Sequence, residues 1–437
     1  MSVKLEAAPV RPGERTHRRD AFFLAADLAT FHLGMAFASQ NTVIPAFAER
    51  LGAPNLVIGA VPALMTVGWT LPAIFAANHT QGLARKLPFI LKWTILERVS
   101  YPLLGVAAIW LAPRSPEATL ALLLGLLLLM TVIGGLLMPA WLDLIGRVVP
   151  TTARGRFFAF ANGGGALLGL SGAAGVGLLL DRYPFPLGYG LCFLAGTACL
   201  AVSYLFLALV REPPGGASGQ RLPQLAYMRR LPGLIRSNRN LPRFLTARAL
   251  SVVGHMANGF FTVYALKELG AGDAAVGAFT ALMLAAQTAG AFAFGWLADR
   301  RGHVLVLTLG AAASALAALA GLAARDVLTL YPVFVLAGLG LAAIQVSGMA
   351  VGMELGPDEE RPTYVAINNS WVAPYALVAP LAGGLMADRL GYGALFATAA
   401  AFSALAAGVF ALAVRDPRRL PSPEPVRGSG AGPGWGG

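Results

Sequence analysis

The sequence predicts an all-α membrane protein with twelve transmembrane helices in two parallel six-helix repeats. Three observations carry this expectation. Long stretches hold no charged residue, the chain repeats itself at a held offset, and its basic residues fall unevenly between alternate loops.

Of the 437 residues, 57% are hydrophobic and 12% charged, against about 25% charged in a soluble domain. No Asp, Glu, Lys or Arg occurs in 118–142, 157–180, 183–210, 274–298, 304–324, 327–353, 362–387 or 390–414. A helix rises about 1.5 Å per residue, so about 20 apolar residues cross a hydrocarbon core of roughly 30 Å. Stretches of this length exclude a soluble helical core, and the short alternating strands of a membrane barrel are excluded as well. Four further spans are interrupted by charge, at 21–45, 56–78, 88–111 and 244–266. Arg15, Arg18 and Arg19 precede the first of them, which is too long for the apolar region of a signal peptide, so none is expected.

The net charge of +12 raises the question of nucleic acid, and its distribution answers it. With twelve spans and the N-terminus inside, the outer loops hold only Arg50, Arg114, Arg182, Lys267, Arg325 and Arg389. Nearly all other basic residues fall at the N-terminus, the inner loops and the C-terminal tail. This positive-inside bias predicts a multi-pass protein of the cell (inner) membrane with both termini cytoplasmic. It puts Arg154, Arg230 and Arg301 inside. The partner it implies is the lipid bilayer, not nucleic acid. Cys192 and Cys199 lie about 10 Å apart along one helix, too far to bridge, and no Cys/His spacing implies a metal or another cofactor.

Internal repetition sets the domains. A shift of 218 aligns Leu51-Gly52-Ala53 with Leu269-Gly270-Ala271, Gly59-Ala60 with Gly277-Ala278, and Ala63-Leu64-Met65 with Ala281-Leu282-Met283. A shift of 207 aligns Pro150, Arg154, Ala159, Asn162, Asp181 and Arg182 with Pro357, Arg361, Ala366, Asn369, Asp388 and Arg389. Ordered matches at a held register mean duplication, and copies of six spans each enter from the same side. The expected organisation is a cytoplasmic segment 1–20, a first half 21–210, a basic linker 211–243, a second half 244–415 and a Pro/Gly/Ser-rich, disordered tail 416–437.

Residues 295–303 read Gly-Trp-Leu-Ala-Asp-Arg-Arg-Gly-His. With six-plus-six spans and the long central loop, this resembles the major facilitator superfamily, whose signature is G-x-x-x-D-[RK]-x-G-[RK]; His303 departs at the last position. The resemblance covers about residues 20–415. It implies the fold of that superfamily and a gating latch of Gly295, Asp299, Arg300 and Gly302 at the inner surface. Asp299 would face the N-terminus of span 5, near Arg154-Gly155-Arg156, where free N–H groups and the helix dipole favour an anion. In the first half the corresponding positions are Ala77, Gln81 and Ala84, so a second latch there lacks its charge. Spacing alone gives two stripes of small residues, Gly165, Gly169, Ala173 and Gly177 on span 5, and Gly277, Ala281, Ala285, Ala289 and Ala293 on span 8. Small stripes allow close helix approach in lipid; the resemblance implies that these two spans pack across the halves.

Ionisable residues inside a membrane are costly and default to functional hypotheses. Two readings stand for Asp27 in span 1: a proton-coupling or cation-binding site, and a structural ion pair with Arg98. Glu97 and Arg98 in span 3 point about 100° apart and read as structural. Arg248, His255 and Thr262, with Asn258 nearby, form the most polar stripe of the second half and are candidates for the substrate cavity, with His255 a second candidate for proton coupling. Asn41 and Gln345 are further cavity candidates, and Gln287, Asn162, Asn368 and Asn369 are weaker ones. A shared structural role is favoured for Asn162 and Asn369.

The expected function is secondary transport of a small-molecule substrate by alternating access, coupled to protons, by a monomer. Export of drugs or metabolites leads, with nutrient uptake by proton symport as the alternative. Two absences leave direction open: residues 118–142 lack the span-4 arginine of the family's drug exporters, and the nearest match to their G-P-x-x-G-G element, Ala379–Gly384, lies in span 11. An intramembrane enzyme is disfavoured, since neither H-E-x-x-H nor G-x-S-x-G occurs.

Overall fold

The computed structural model describes residues 12–81, 83–150, 153–213, 240–355 and 361–417. Most of the expected linker (214–239, with Arg230) and nearly all of the expected tail lie outside the described residues. The elements are α1 Pro12–Ala36, α2 Val43–Arg50, α3 Asn55–Gln81, α4 Leu87–Trp110, α5 Pro116–Val148, α6 Arg154–Arg182 and α7 Leu187–Ala208. Then follow α8 Asn240–Gly254, a 3₁₀ turn His255–Ala257, α9 Asn258–Lys267, α10 Ala274–Arg301, α11 His303–Ala323, α12 Val327–Ser347, α13 Ala350–Glu354 and α14 Arg361–Leu412.

Among the described residues, nine helical segments are long and apolar enough to cross a membrane. The last, Ile367–Leu412, has 46 residues, twice a span, and α14 is broken at Gly391, whose φ of 83° is left-handed. Two more helices of membrane length, α1 and α4, carry charge (Asp20 and Asp27; Lys92, Glu97 and Arg98) and join the same bundle, α1 against α6 and α7, α4 against α5 and α7. Dividing α14 at Gly391 then yields twelve long helical segments. Span 1 is shifted from the expected 21–45: α1 starts at Pro12, and the chain leaves the helix between Ala36 and Val43.

The duplication is visible in the backbone. Gly52 and Gly270, aligned by the 218 shift, both have positive φ, 78° and 67°, each just beyond the helix that ends span 1 or span 7. Only glycine adopts this geometry without cost, so it closes both turns.

Helix ends are capped by carboxylates from elsewhere in the chain. Glu212 accepts from the backbone N–H groups of Lys86 (2.8 Å) and Leu87 (2.9 Å) at the start of α4, and from Arg147 at 3.2 Å. In the second half Asp416 accepts from Val304 N–H at 3.2 Å at the start of α11. Each carboxylate follows the last helix of its half and satisfies N–H groups that have no partner inside their own helix. Asn240 joins the two ends of the second half, donating to the Arg415 carbonyl at 2.6 Å and accepting from Arg415 N–H at 2.9 Å.

Between the halves run two seams, α6 on α10 and α3 on α14. In the first, a Cβ on Gly277 would overlap the backbone of Gly177 and lie 2.9 Å from the Ala173 carbonyl. In the second, a Cβ on Gly59 would overlap the Pro380 carbonyl, and one on Gly384 would lie 2.7 Å from Leu56 Cα. Gly277→Leu is therefore expected to insert normally but to prevent the halves from meeting at the Gly177 end. Disulfide trapping between Cys pairs at 173 and 281 checks this: the variant should cross-link at least tenfold more slowly than the Gly277 parent. Equal rates would remove this contact as a determinant of closure.

Candidate functional site: a cavity closed at one end

The contacts that join the halves cluster at one end of the bundle, opposite the face where α1 begins and α14 ends. There Asp388, at the end of the first part of α14, caps α3 of the other half. Its Oδ1 accepts from the Asn55 backbone N–H at 3.0 Å and from Asn55 Nδ2 at 2.9 Å, and its Oδ2 accepts from Leu56 N–H at 2.9 Å. Tyr392 Oη donates to Asn55 Oδ1 at 2.7 Å. Arg50 Nε donates to Asp273 at 2.8 Å, and Tyr189 Oη donates to the same carboxylate at 2.9 Å. Nearer the centre, the Thr42 and Thr280 hydroxyls lie 2.6 Å apart, and Thr262 Oγ1 donates to the Asn41 carbonyl at 3.3 Å.

The sequence carried a signal for this closure that the reading above passed over. Gly384-Leu-Met-Ala-Asp388-Arg389-Leu-Gly391 repeats the spacing of Gly295–Gly302. In both copies the second glycine has positive φ, 98° at Gly302 and 83° at Gly391. The two copies stand at opposite ends of the bundle, because the helices that bear them run in opposite directions. Asp388 is engaged. Asp299 is exposed and makes no hydrogen bond or ion pair to a described residue; the side chains of 154–156, its expected partners, lie outside the described residues. A Cβ on Gly295 would meet nothing within 4 Å.

Below the closed end lies a cavity of about 500 Å³, walled by α1, α6, α10 and α12. Its roof is the break between α1 and α2, with Ser39, Gln40 and Asn41. Phe158 and Phe292 line it toward the face of the chain termini. Of the cavity candidates, Asn41 and Gln345 line it, as do Gln287 and Asn162. Gln287 Nε2 donates to Gln345 Oε1 at 3.2 Å. Asn369, the repeat partner of Asn162, does not line the cavity and accepts from Asn368 Nδ2 at 3.4 Å.

The polar stripe of span 7 is corrected. Arg248, His255, Asn258 and Thr262 are not among the residues lining the cavity. Arg248 and His255 share a face, but it turns toward α12, near Gly348 and Gly340. His255 is held by Ser251 O at 2.5 Å and Ser314 Oγ at 3.2 Å, Thr262 joins the closed end, and Arg248 is buried with Nε and Nη1 unpartnered. The small stripe of span 5 also divides. Gly177 and Ala173 meet Gly277, Gly169 faces Leu284, but Gly165 lies against His32 of α1.

A second cavity of about 210 Å³ lies within the first half, lined by Asp27, Glu97 and Arg98 together with Phe31, Trp69 and Trp141. Asp27 and Glu97 are buried. Arg98 Nη2 stands 3.6 Å from Asp27 Oδ1 and donates to Ser203 Oγ at 2.9 Å; Ser203 donates to Asp27 Oδ1 at 2.5 Å. Arg98 also donates to the Leu200 carbonyl at 3.0 Å and to Thr94, while Thr94 donates to Glu97 Oε2 at 3.0 Å. Arg98 Nη1 stands 4.0 Å from that same oxygen, so the adjacent pair expected to point apart meets at its tips. His32 lines both cavities.

Residues 244–435 match the family model described as Major Facilitator Superfamily. Over 89% of its length the chain superimposes on 98% of a variant of the nucleoside transporter NupG, with a TM-score of 0.71 at 13% identity. The second half of the chain thus matches the major facilitator superfamily, and the chain as a whole shares the fold of that solved transporter. These similarities point to a transporter rather than an enzyme. A bacterial homolog of the human lysosomal transporter Spinster, inward-facing and occupied, gives a TM-score of 0.63 at 14% identity over 92% of this chain and 97% of that one. A POT family transporter in complex with 5-aminolevulinic acid gives 0.68 at 10% identity over 90% and 95%. Identities this low speak to the fold alone. No curated protein sequence matches the chain. The family match falls on the half that carries Gly295–His303.

Loss of the Asp388 cap removes three hydrogen bonds to a charged acceptor, together worth at least about 1.5 kcal/mol. Asp388→Ala is therefore expected to shift the equilibrium about tenfold or more toward a form opened at the Asp388 end. Spin labels at positions 182 and 390, read by pulsed dipolar spectroscopy, should show a longer distance in the variant. An unchanged distribution would mean that the cap does not hold the closed end.

Proposed function

We propose that this transporter moves a small organic solute across the cell membrane through the α1–α6–α10–α12 cavity, driven by protons and acting as a monomer. Asp27, Arg98 and Glu97 form the coupling element. The observation that carries this reading is a buried cluster of two carboxylates and one arginine beside the central cavity, with His32 on the wall of both. Buried charge of this kind is costly and is retained where it moves. Protonation of Asp27 removes the attraction that holds Arg98 and leaves Glu97, already 4.0 Å away, as its remaining counter-charge. Such a shift moves α1, which carries Asp27, relative to α4 and α7, which carry Arg98 and Ser203. Since α1 also walls the central cavity, proton binding and cavity shape become linked.

With both termini cytoplasmic, as the loop charges suggest, the cavity opens inward. Export against proton entry is the leading direction from sequence. Uptake by symport is the second reading, favoured by one observation: the charged cluster and the central cavity are separate spaces, so proton and solute need not compete. Competition for one site is the simplest basis of antiport.

Asp27→Asn keeps the shape and removes the charge. In proteoliposomes with an imposed pH gradient, the variant is expected to exchange solute across the membrane but to lose gradient-driven accumulation or depletion. Gradient-driven transport at the parent rate would sink the coupling role. If Asp27 serves only to neutralise Arg98, the single variant should instead express poorly and the Asp27→Asn, Arg98→Gln double variant should recover.

A further inference from the structure

Among the described residues, the lining of the central cavity holds no Asp, Glu, Lys or Arg. It is lined instead by five carboxamides, Gln40, Asn41 and Asn162 from the first half and Gln287 and Gln345 from the second. We infer that its solute is uncharged and rich in hydroxyl or amide groups, of the chemical class of nucleosides, glycosides and polyols. The inference rests on the cavity being the transport site, and it adds the substrate class.

The argument is one of electrostatics and stoichiometry. A charged solute moved from water into a cavity sealed by apolar helices needs a counter-charge or forfeits its hydration. The charged side chains of the spans stand elsewhere: Asp27, Glu97 and Arg98 in the neighbouring cavity and Arg248 buried in the core of the second half. A carboxamide presents two donors and one acceptor, and so matches hydroxyl and amide groups, which also donate and accept. Five of them make a surplus of both kinds, and only the 3.2 Å contact between Gln287 and Gln345 consumes any of it among the lining carboxamides. An apolar drug placed here would strand these groups, each at a cost of about 1–3 kcal/mol.

The remaining features agree. The volume of about 500 Å³ falls within the roughly 300–1,000 Å³ of small-molecule sites. Phe158 and Phe292 supply aromatic surface at the wider end, suited to the flat face of a base or the apolar face of a sugar ring. The roof is a break in a membrane helix, Ala36 to Val43, which adds backbone polar groups at the depth where the solute rests. Because the carboxamides come from both halves, one solute can bond to both and draw them together.

The test is saturable binding to the purified full-length protein in detergent, without any gradient. The probes are a panel of neutral nucleosides, hexoses, disaccharides and polyols, with tetraphenylphosphonium and citrate as charged comparators. At least one neutral probe is expected to raise the apparent melting temperature, since a ligand of the folded state stabilises it. Replacing Gln287 and Gln345 together by Leu should weaken that probe about twenty-fivefold, two hydrogen bonds at about fivefold each, and Asn162→Leu in the other half should weaken it about fivefold; each variant is read as the Kd ratio on protein that remains monodisperse. The inference is overturned if no neutral probe binds, if a charged comparator alone binds, or if the carboxamide variants bind as the parent does. Coupling is not engaged in this assay, so a charged ligand that is still driven by a pH gradient would refute the substrate class and leave proton-coupled transport standing.

Discussion

The conformation turns on one carboxylate. Asp388 occupies the N-terminus of α3 from the opposite half, and three N–H groups donate to it between 2.9 and 3.0 Å. The first turn of any helix carries N–H groups without partners, and in a membrane bundle water is scarce and side chains must satisfy them. Glu212 and Asp416 answer the same need within their own halves. Asp388 differs only in coming from across the divide, so its cap is also a bond between the halves. With that end tied, Gly177 can meet Gly277 and Gly59 can meet Pro380, and the space left between α1, α6, α10 and α12 becomes a cavity roofed by the break between α1 and α2.

The distribution of charge follows from this geometry. The cavity wall is polar without net charge, whereas the ionisable groups of the spans sit behind it. A cluster such as Asp27–Arg98–Glu97 is tolerable away from lipid because each member is held by Ser203, Thr94 or a carbonyl as well as by its opposite charge. Placing it behind α1 keeps its charges out of the described lining of the central cavity. An uncharged wall and a titratable core are thus complementary parts of one arrangement.

Much of the fold was legible in the sequence, because lipid imposes a long one-dimensional signal. Charge-free stretches marked most spans, and the 218 shift that paired Gly52 with Gly270 identified two turns that share a left-handed glycine. The site was legible only in part, for physical reasons. Asn41 and Gln345 were singled out as polar residues in apolar helices, and both line the cavity. Arg248 and His255 were singled out on the same ground and do not, because the face they share turns toward α12, near Gly348 and Gly340, and not toward the cavity. Asn162 was set aside because its repeat partner Asn369 suggested symmetry, but duplicated helices need not keep duplicated roles once one of them borders the cavity. The α3–α14 seam, with Gly59 against Pro380, joins residues more than 300 positions apart in the chain, beyond the reach of any periodicity.

Two copies of one short signature give the clearest link from sequence to mechanism. A glycine, an Asp-Arg pair four residues on and a second glycine at positive φ form a helix end that turns sharply and leaves a carboxylate at the membrane surface. The helix that ends at Asp299 and the one that ends at Asp388 run in opposite directions, so the same device serves opposite faces. A carboxylate on a helix N-terminus gains only while its partner helix is near. Closing one end of the bundle therefore engages one copy, and in this structure Asp388 is bonded while Asp299 stands exposed. Were Asp299 to make the matching contact in the other form, the free-energy difference between the two closed forms would fall, because what one form loses the other would regain. That near balance is what alternating access requires: a strong latch at a single end would hold the transporter in one state, and the modest energy of solute or proton binding could not move it.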